Sequence, residues 1–254
     1  MLRAITHKVS SRIADCQLTF LERTPIDYEL AARQHETYEN KLAELGIQIT
    51  QLTDNGRYPD ASFVEDTAIV LDEVAIICSM GVESRRGETQ LIAQEFSKFR
   101  ELEHISLPAT IEGGDVLRVG RRVLVGMSSR TNREGVDALT RIAAQSGYEV
   151  IPVSVKGSLH LKSACSALND ETLLMNPEWI DGGNLSRFHL INTPPEEPES
   201  ANVLRIGSTV CVQEGFPRTA ELVHRIADRV EIINMSELRK AEAGLTCCSI
   251  IFET

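Results

Sequence analysis

The chain has no apolar run that approaches the length of a membrane span. Residues 1–8 hold no long apolar core either, which predicts no secretory signal. The six cysteines (16, 78, 165, 211, 247 and 248) form no C-x-x-C pair and no zinc spacing, and adjacent Cys247 and Cys248 are poorly placed to bridge each other. Reduced thiols and a cytoplasmic location are therefore expected. No glycine-rich phosphate loop opens a helix. Gly113-Gly114 and Gly182-Gly183 each follow an acid, but neither fits G-x-G-x-x-G or a P-loop. Positive charge is in deficit, with 26 Lys and Arg against 37 Asp and Glu, a formal net charge of -11. That balance disfavours nucleic acid or an anionic membrane as partner. It is compatible with a cationic ligand, although solubility alone accounts for many acidic surfaces.

What is present is ordinary in amount and unusual in arrangement. The 254 residues are 42% hydrophobic and 25% charged, a globular composition, and are read as one domain over 1–254. Four segments share a pattern: an arginine beside a threonine or glutamate, a helical stretch, then a short β-branched strand. They begin near Arg23, Arg86, Arg130 and Arg218. Helices are predicted over 28–45, 88–99, 133–146 and 220–228, with closing strands over 47–52, 104–107, 149–153 and 230–233. Thr131 with Glu134 reads as a capping pair. Hairpins are predicted for 63–71 with 74–79, 115–119 with 123–126, and 203–206 with 209–213.

The unit is thus strand, strand, helix, strand. Arg86 to Arg130 spans about one period of 44 residues and Arg130 to Arg218 about two, so a unit with a degenerate helix is expected near Trp179. Five such units predict a five-fold pseudosymmetric α/β propeller rather than a doubly wound sheet. The acidic, proline-rich stretch 193–200 is read as a surface loop within the domain.

In a radial array, strand ends from different units meet at one channel. That would bring together Cys247, His160 and Glu112, which are far apart in sequence. They form a candidate set of nucleophile, base and orienting acid. By themselves they prove little, because most buried cysteines only pack. Asp60, Glu65 and Asp66 put three carboxylates within seven residues of an apolar stretch. Buried acids there need partners, either arginines of a neighbouring unit or a cationic ligand. On a strand, Glu65 and Asp66 would face opposite ways. Arg85, Arg86 and Arg130 each precede a helix and offer a fork for a carboxylate. Carboxylates, arginines and a Cys/His couple together describe a zwitterionic guanidino amino acid as ligand.

Phe63-Val64-Glu65-Asp66, Glu83-Ser84-Arg85-Arg86-Gly87-Glu88-Thr89, Glu112-x-Gly114-Asp115, Arg130-Thr131-Asn132, Leu159-His160-Leu161-Lys162 and Leu245-Thr246-Cys247-Cys248-Ser249 resemble the dimethylarginine dimethylaminohydrolases, in order and in spacing, from about residue 3 to 252. The resemblance implies the pentein fold, a propeller of ββαβ units. It also implies hydrolysis of Nω-methylated L-arginine to L-citrulline and an amine, without a cofactor or metal. By that likeness Cys247 is the nucleophile, His160 the general acid and base, and Glu112 its orienting acid. Asp66 and Glu65 hold the guanidinium, and Arg85 and Arg130 grip the α-carboxylate. Asp60 with the backbone carbonyls of Leu18 and Ala241 receives the α-ammonium. The sequence leaves open whether Arg85 or Arg86 faces the ligand, and whether the chain is a homodimer. The alternatives are an arginine deiminase-like hydrolase or amidinotransferase on the same fold, and a pentein-fold binding protein without catalysis.

Overall fold

In the computed structural model, which describes residues 1–254, the strands form five three-stranded sheets. The chain opens with β1 (Leu2–His7), α1 (Tyr28–Glu44) and β2 (Gln48–Leu52). The next unit is β3 (Ala68–Val70), β4 (Val74–Ile77), α2 (Thr89–Phe96) and β5 (Glu101–His104). Then come β6 (Val116–Val119), β7 (Arg122–Met127), α3 (Arg133–Gln145) and β8 (Glu149–Ser154). A short α4 (Leu161–Ala164) leads into β9 (Cys165–Ala167), β10 (Thr172–Met175) and β11 (His189–Asn192). The last units are β12 (Leu204–Ile206), β13 (Thr209–Gln213), α5 (Pro217–Val223), β14 (Arg229–Ile233), α6 (Ser236–Arg239) and β15 (Ile250–Glu253). No helix is long and apolar enough to cross a membrane.

Each sheet repeats one plan. A first strand pairs antiparallel with a middle strand, and after the crossover the third strand lies parallel to the middle one. The first sheet is assembled from both ends of the chain: β15 pairs antiparallel with β1, Ala4 opposite Ile251, and β2 lies parallel on the other side. The ring is closed by that pairing. Middle strands are covered on both faces, so β10 and β13 are buried at every position, as expected of strands with near-continuous apolar character. The helices pack outside their sheets. In α1 the inward face carries Ala31, Tyr38 and Leu42, all with no exposed surface, at helical spacing. Asp27 caps its start by accepting the Leu30 N–H, and Gly46 at φ +86° ends it in a left-handed turn.

Five expectations are corrected. The first strand of the second unit is shorter than 63–71, because Val64–Thr67 is a 3-10 turn, so Glu65 and Asp66 are not strand residues. The closing strand placed at 104–107 is Glu101–His104, because α2 ends early at Phe96 and β4 sets the register, Val74 opposite Glu101. Asn132, not Thr131, caps α3 by accepting the Gly135 N–H, while Thr131 donates to Asp115. The predicted helix 220–228 is Pro217–Val223, with Pro217 in its first turn, where its missing N–H is harmless. Finally, 193–200 is not wholly a surface loop. Glu197 is buried and accepts the N–H groups of Arg218 and Thr219 at the head of α5. The fourth unit has the expected degenerate helix, a 3-10 turn over Gly182–Leu185.

Candidate active site

The first strands of the five sheets, β3, β6, β9, β12 and β15, surround the central channel, and each contributes to its wall. The segments that enter these strands converge at one end. The 3-10 turn before β3 carries Glu65 and Asp66, and Glu112 with Gly113–Asp115 precedes β6. His160 and Lys162 precede β9, Asn202 precedes β12, and the 3-10 turn Thr246–Cys248 precedes β15. One repeated position in the unit therefore supplies chemistry five times over.

A cavity at this end is lined by Asp66, His160 and Cys247 at its base and by Asp60, Phe63, Arg85 and Arg130 on its wall. Gln17, Leu159 and Ala241–Ala243 form the remainder. His160 Nε2 donates to Glu112 Oε2 at 2.8 Å, and its Nδ1 lies 3.7 Å from Asp66 Oδ1. Asp66 accepts from Gly114 N at 3.1 Å and from Arg85 Nη1 at 2.7 Å. Cys247 Sγ accepts from Gly244 N at 3.3 Å. Arg130 donates to Thr19 Oγ1 at 3.1 Å and lies 3.5 Å from Glu112. Asp60 accepts the Gln17 N–H. Glu242, the one non-glycine residue at positive φ, accepts the N–H groups of Thr19, Phe20 and Leu21, and so fastens segment 17–21 beside the cavity.

The electrostatics divide by residue. Burial disfavours charge on Asp66, but His160 and Arg85 outweigh it and hold the carboxyl below its ordinary range. Burial likewise opposes charge on His160, yet Asp66, Asp115 and Glu112 overcome it and raise the imidazole to about 9. Burial, with Glu65 and Asp66 nearby, pushes the Cys247 thiol up to about 12. The unliganded site therefore holds a neutral thiol beside an imidazolium at neutral pH. Ligand atoms of Asp66, Glu112 and His160 lie within 4.8 Å of one another, close enough for a metal ion. However, Arg85 and the Gly114 N–H already satisfy Asp66, and His160 Nε2 is turned to Glu112, so the donor set is committed to hydrogen bonds.

Residues 7–184 match the family described as N,N-dimethylarginine dimethylhydrolase, eukaryotic. The N(G),N(G)-dimethylarginine dimethylaminohydrolase of Pseudomonas aeruginosa is 36% identical over 228 residues, 89% of this chain and 90% of that one. This chain belongs to the dimethylarginine dimethylaminohydrolase family. The Streptomyces coelicolor member is 33% identical over 98% of this chain and 96% of its own length. A structure of the Pseudomonas aeruginosa enzyme, a cysteine-to-serine mutant complexed with citrulline, superposes with a TM-score of 0.94 at 33% identity, covering 98% of both chains. The pentein architecture, expected from the repeat and from the motifs, is that of the family.

Most of the residues singled out in the sequence meet in the dimethylarginine dimethylaminohydrolase cavity, but not all. Cys247, His160, Asp66, Asp60, Arg85, Arg130 and Ala241 line it, and Glu112 stands directly behind His160. Arg85 is buried and lines the cavity, while Arg86 is exposed. Leu18 does not line the cavity; its neighbour Gln17 does, and the Leu18 side chain packs against the core near α1. Glu65 is also outside it: Lys162 Nζ sits 2.5 Å from one carboxylate oxygen and Thr246 Oγ1 donates to the other at 2.7 Å. The 3-10 turn, like the strand expected there, sends adjacent Glu65 and Asp66 to different sides of the wall. Arg85 is less free than the motif suggested, because Glu88, Asp66 and the Phe63 carbonyl all accept from its guanidinium.

Sequence reasoning missed the glycines. A Cβ on Gly114 would stand 2.5 Å from Asp66 Oδ1 and 2.6 Å from His160 Nδ1, and one on Gly113 would collide with the Glu65 carbonyl. The signal was the glycine pair directly after Glu112, set aside because it fits no phosphate loop. Gly114→Ala is expected to cut kcat/KM by roughly two orders of magnitude or more, the cost of displacing reacting groups by about 1 Å. Steady-state kinetics beside a thermal melt test this. Wild-type kinetics in a folded variant would show that Asp66 and His160 yield without consequence. Asn202 was also missed: it donates to the Lys162 carbonyl and to Thr246 Oγ1 and accepts the Thr246 N–H, joining the His160 and Cys247 segments.

Proposed function

We propose that this chain, as one catalytic domain over 1–254, hydrolyses Nω-methylated L-arginine to L-citrulline and methylamine or dimethylamine. The observation that carries the reading is one cavity whose charges are the complement of a guanidino amino acid. Asp66 is held ionised beside Cys247 and His160 at its base, and Asp60 and Arg130 stand on its wall. Membership of the family and a citrulline-bound neighbour support it.

In this mechanism the Asp66 carboxylate accepts from the guanidinium, and Asp60 and Arg130 take the amino-acid end. Bringing that cation against Cys247 lowers the thiol pKa, so binding generates the nucleophile. The thiolate adds to the guanidinium carbon. The bond to the methylated nitrogen breaks with a proton from His160, leaving an S-alkylthiouronium on Cys247. His160 then takes a proton from water as the oxygen adds to the same carbon. The C–S bond breaks and citrulline leaves. Glu112 keeps the ring oriented throughout. The six free cysteines agree with a cytoplasmic location.

The test is citrulline formation from a panel of methylated arginines, with dimethylamine and ammonia measured separately. Dimethylamine from asymmetric dimethylarginine is expected. Ammonia from free arginine without dimethylamine would make the chain a deiminase, and no turnover of either would make it a binding protein.

The pH dependence carries a sign. Below pH 9 the free site holds two protons, one on Cys247 and one on His160, whereas the reacting form, thiolate with imidazolium, holds one. One proton must leave, so kcat/KM should rise about tenfold per pH unit up to about 9 and then level. A profile already flat at pH 7 would show a preformed thiolate–imidazolium pair instead.

A further inference from the structure

The central channel holds a second cavity behind the site, of about 420 Å³, walled by the first strands of all five sheets. Ile69, Leu117, Leu204 and Ile251 line it, and Arg118 and Arg205, with side chains about a third exposed, stand at its outer opening. It has room for a file of water molecules. Glu65, Lys162 and Thr246 close it on the side toward the site. Glu65 adjoins Asp66, Lys162 follows His160 by two, and Thr246 adjoins Cys247; in each pair one residue faces this pore and the other the reacting end of the cavity. The closure is an ion pair and a hydrogen bond, Lys162 and Thr246 on the Glu65 carboxylate, rather than packed hydrocarbon.

At the substrate end Gln17 lines the first cavity. Segment 17–21, fastened by Glu242 and tied to Arg130 through Thr19, lies beside the cavity where the amino-acid part of a substrate would sit. After the first half-reaction that part still fills that end, and the water that ends the reaction must arrive at the base, beside His160. We propose that this water is delivered from the pore, past the Glu65–Lys162 pair, whose long lysine stem lets it part without backbone movement. The proposal rests on the hydrolytic reading above. It makes Glu65 and Lys162 a gate for water rather than ligands of the guanidinium.

The experiment obstructs the pore away from the site, with Leu117→Trp, Leu204→Trp and the double variant. Both leucines are half-buried on pore-facing strands and line the pore, not the cavity that holds the reacting residues. With asymmetric dimethylarginine, slowed delivery of water retards only the second half-reaction. The expected result is that kcat and KM fall together by about tenfold or more with kcat/KM little changed. Acid-quenched samples should show most of the enzyme carrying the thiouronium adduct on Cys247 by mass spectrometry. Folded variants with wild-type kcat, or with lowered kcat and no adduct, would overturn the passage. The single variants keep the test available if the double one does not fold. Wild-type protein that yields neither citrulline nor adduct would instead overturn the proposed activity.

Discussion

Cys247→Ser is expected to lower kcat by roughly four orders of magnitude or more, since removing a nucleophile forfeits the covalent route and leaves only binding and orientation. Binding of citrulline or of unreacted substrate should persist, because the charged groups that hold the ligand are untouched. Cys248→Ser is the control. On an extended strand two adjacent cysteines would point to opposite faces. They lie instead on a 3-10 turn, Thr246–Cys248, and diverge for that reason. Cys247 faces the cavity, while Cys248 is wholly buried in the core that also holds Tyr38 and Leu42. Placing a hydroxyl there costs about 1–3 kcal/mol of stability, so Cys248→Ser should melt earlier yet turn over at close to the wild-type rate. Rapid-quench kinetics and isothermal titration on both variants decide this. Equal loss of turnover in the two, or loss in Cys248→Ser alone, would remove Cys247 from the mechanism.

Arg130→Ala is expected to lower kcat/KM for asymmetric dimethylarginine by roughly two orders of magnitude or more, since truncating one side of a buried charged hydrogen bond costs on the order of 2–5 kcal/mol. The prediction singles out Arg130 rather than Arg85. Glu88 and Asp66 already take most donors of Arg85, whereas Arg130 is held only by Thr19 and, at 3.5 Å, by Glu112. Its nearness to Glu112 calls for a control on the ligand. An analogue lacking the α-carboxylate should be a poor substrate for the wild type and little affected by the mutation, because the contact it removes is never made. Equal losses for both ligands would show that Arg130 acts through Glu112 and His160 instead of through the substrate carboxylate.

Much of the fold was legible because it repeats. Arginine-led helices at a 44-residue spacing, each followed by a β-branched strand, specify the unit and its number, and helix α1 follows from its buried spacing at Ala31, Tyr38 and Leu42. Boundaries were less legible where 3-10 turns replace strand or helix. Val64, Thr67 and Thr246 are β-branched and the residues that follow each turn continue into strands, so only contacts made after folding mark Val64–Thr67 and Thr246–Cys248 as turns.

The sequence by itself determined which chemistry is present. Acids at 60, 65 and 66, arginines before helices, one histidine followed by Leu-Lys, and a Thr-Cys-Cys-Ser near the C-terminus describe the ligand class, because residue type fixes charge, and the likeness of these motifs to the family supplies the reaction. Tertiary structure alone decided which of these groups face the same space. It turned Asp66 into the cavity and Glu65 onto Lys162, chose Arg85 over Arg86, and put Gln17 rather than Leu18 at the wall. It also closed the ring by pairing β15 with β1, so that Cys247 comes to line one cavity with His160, 87 positions earlier in the chain. Burial and neighbouring charge, the two quantities that set the thiol at about 12 and the imidazole at about 9, exist only in the folded chain.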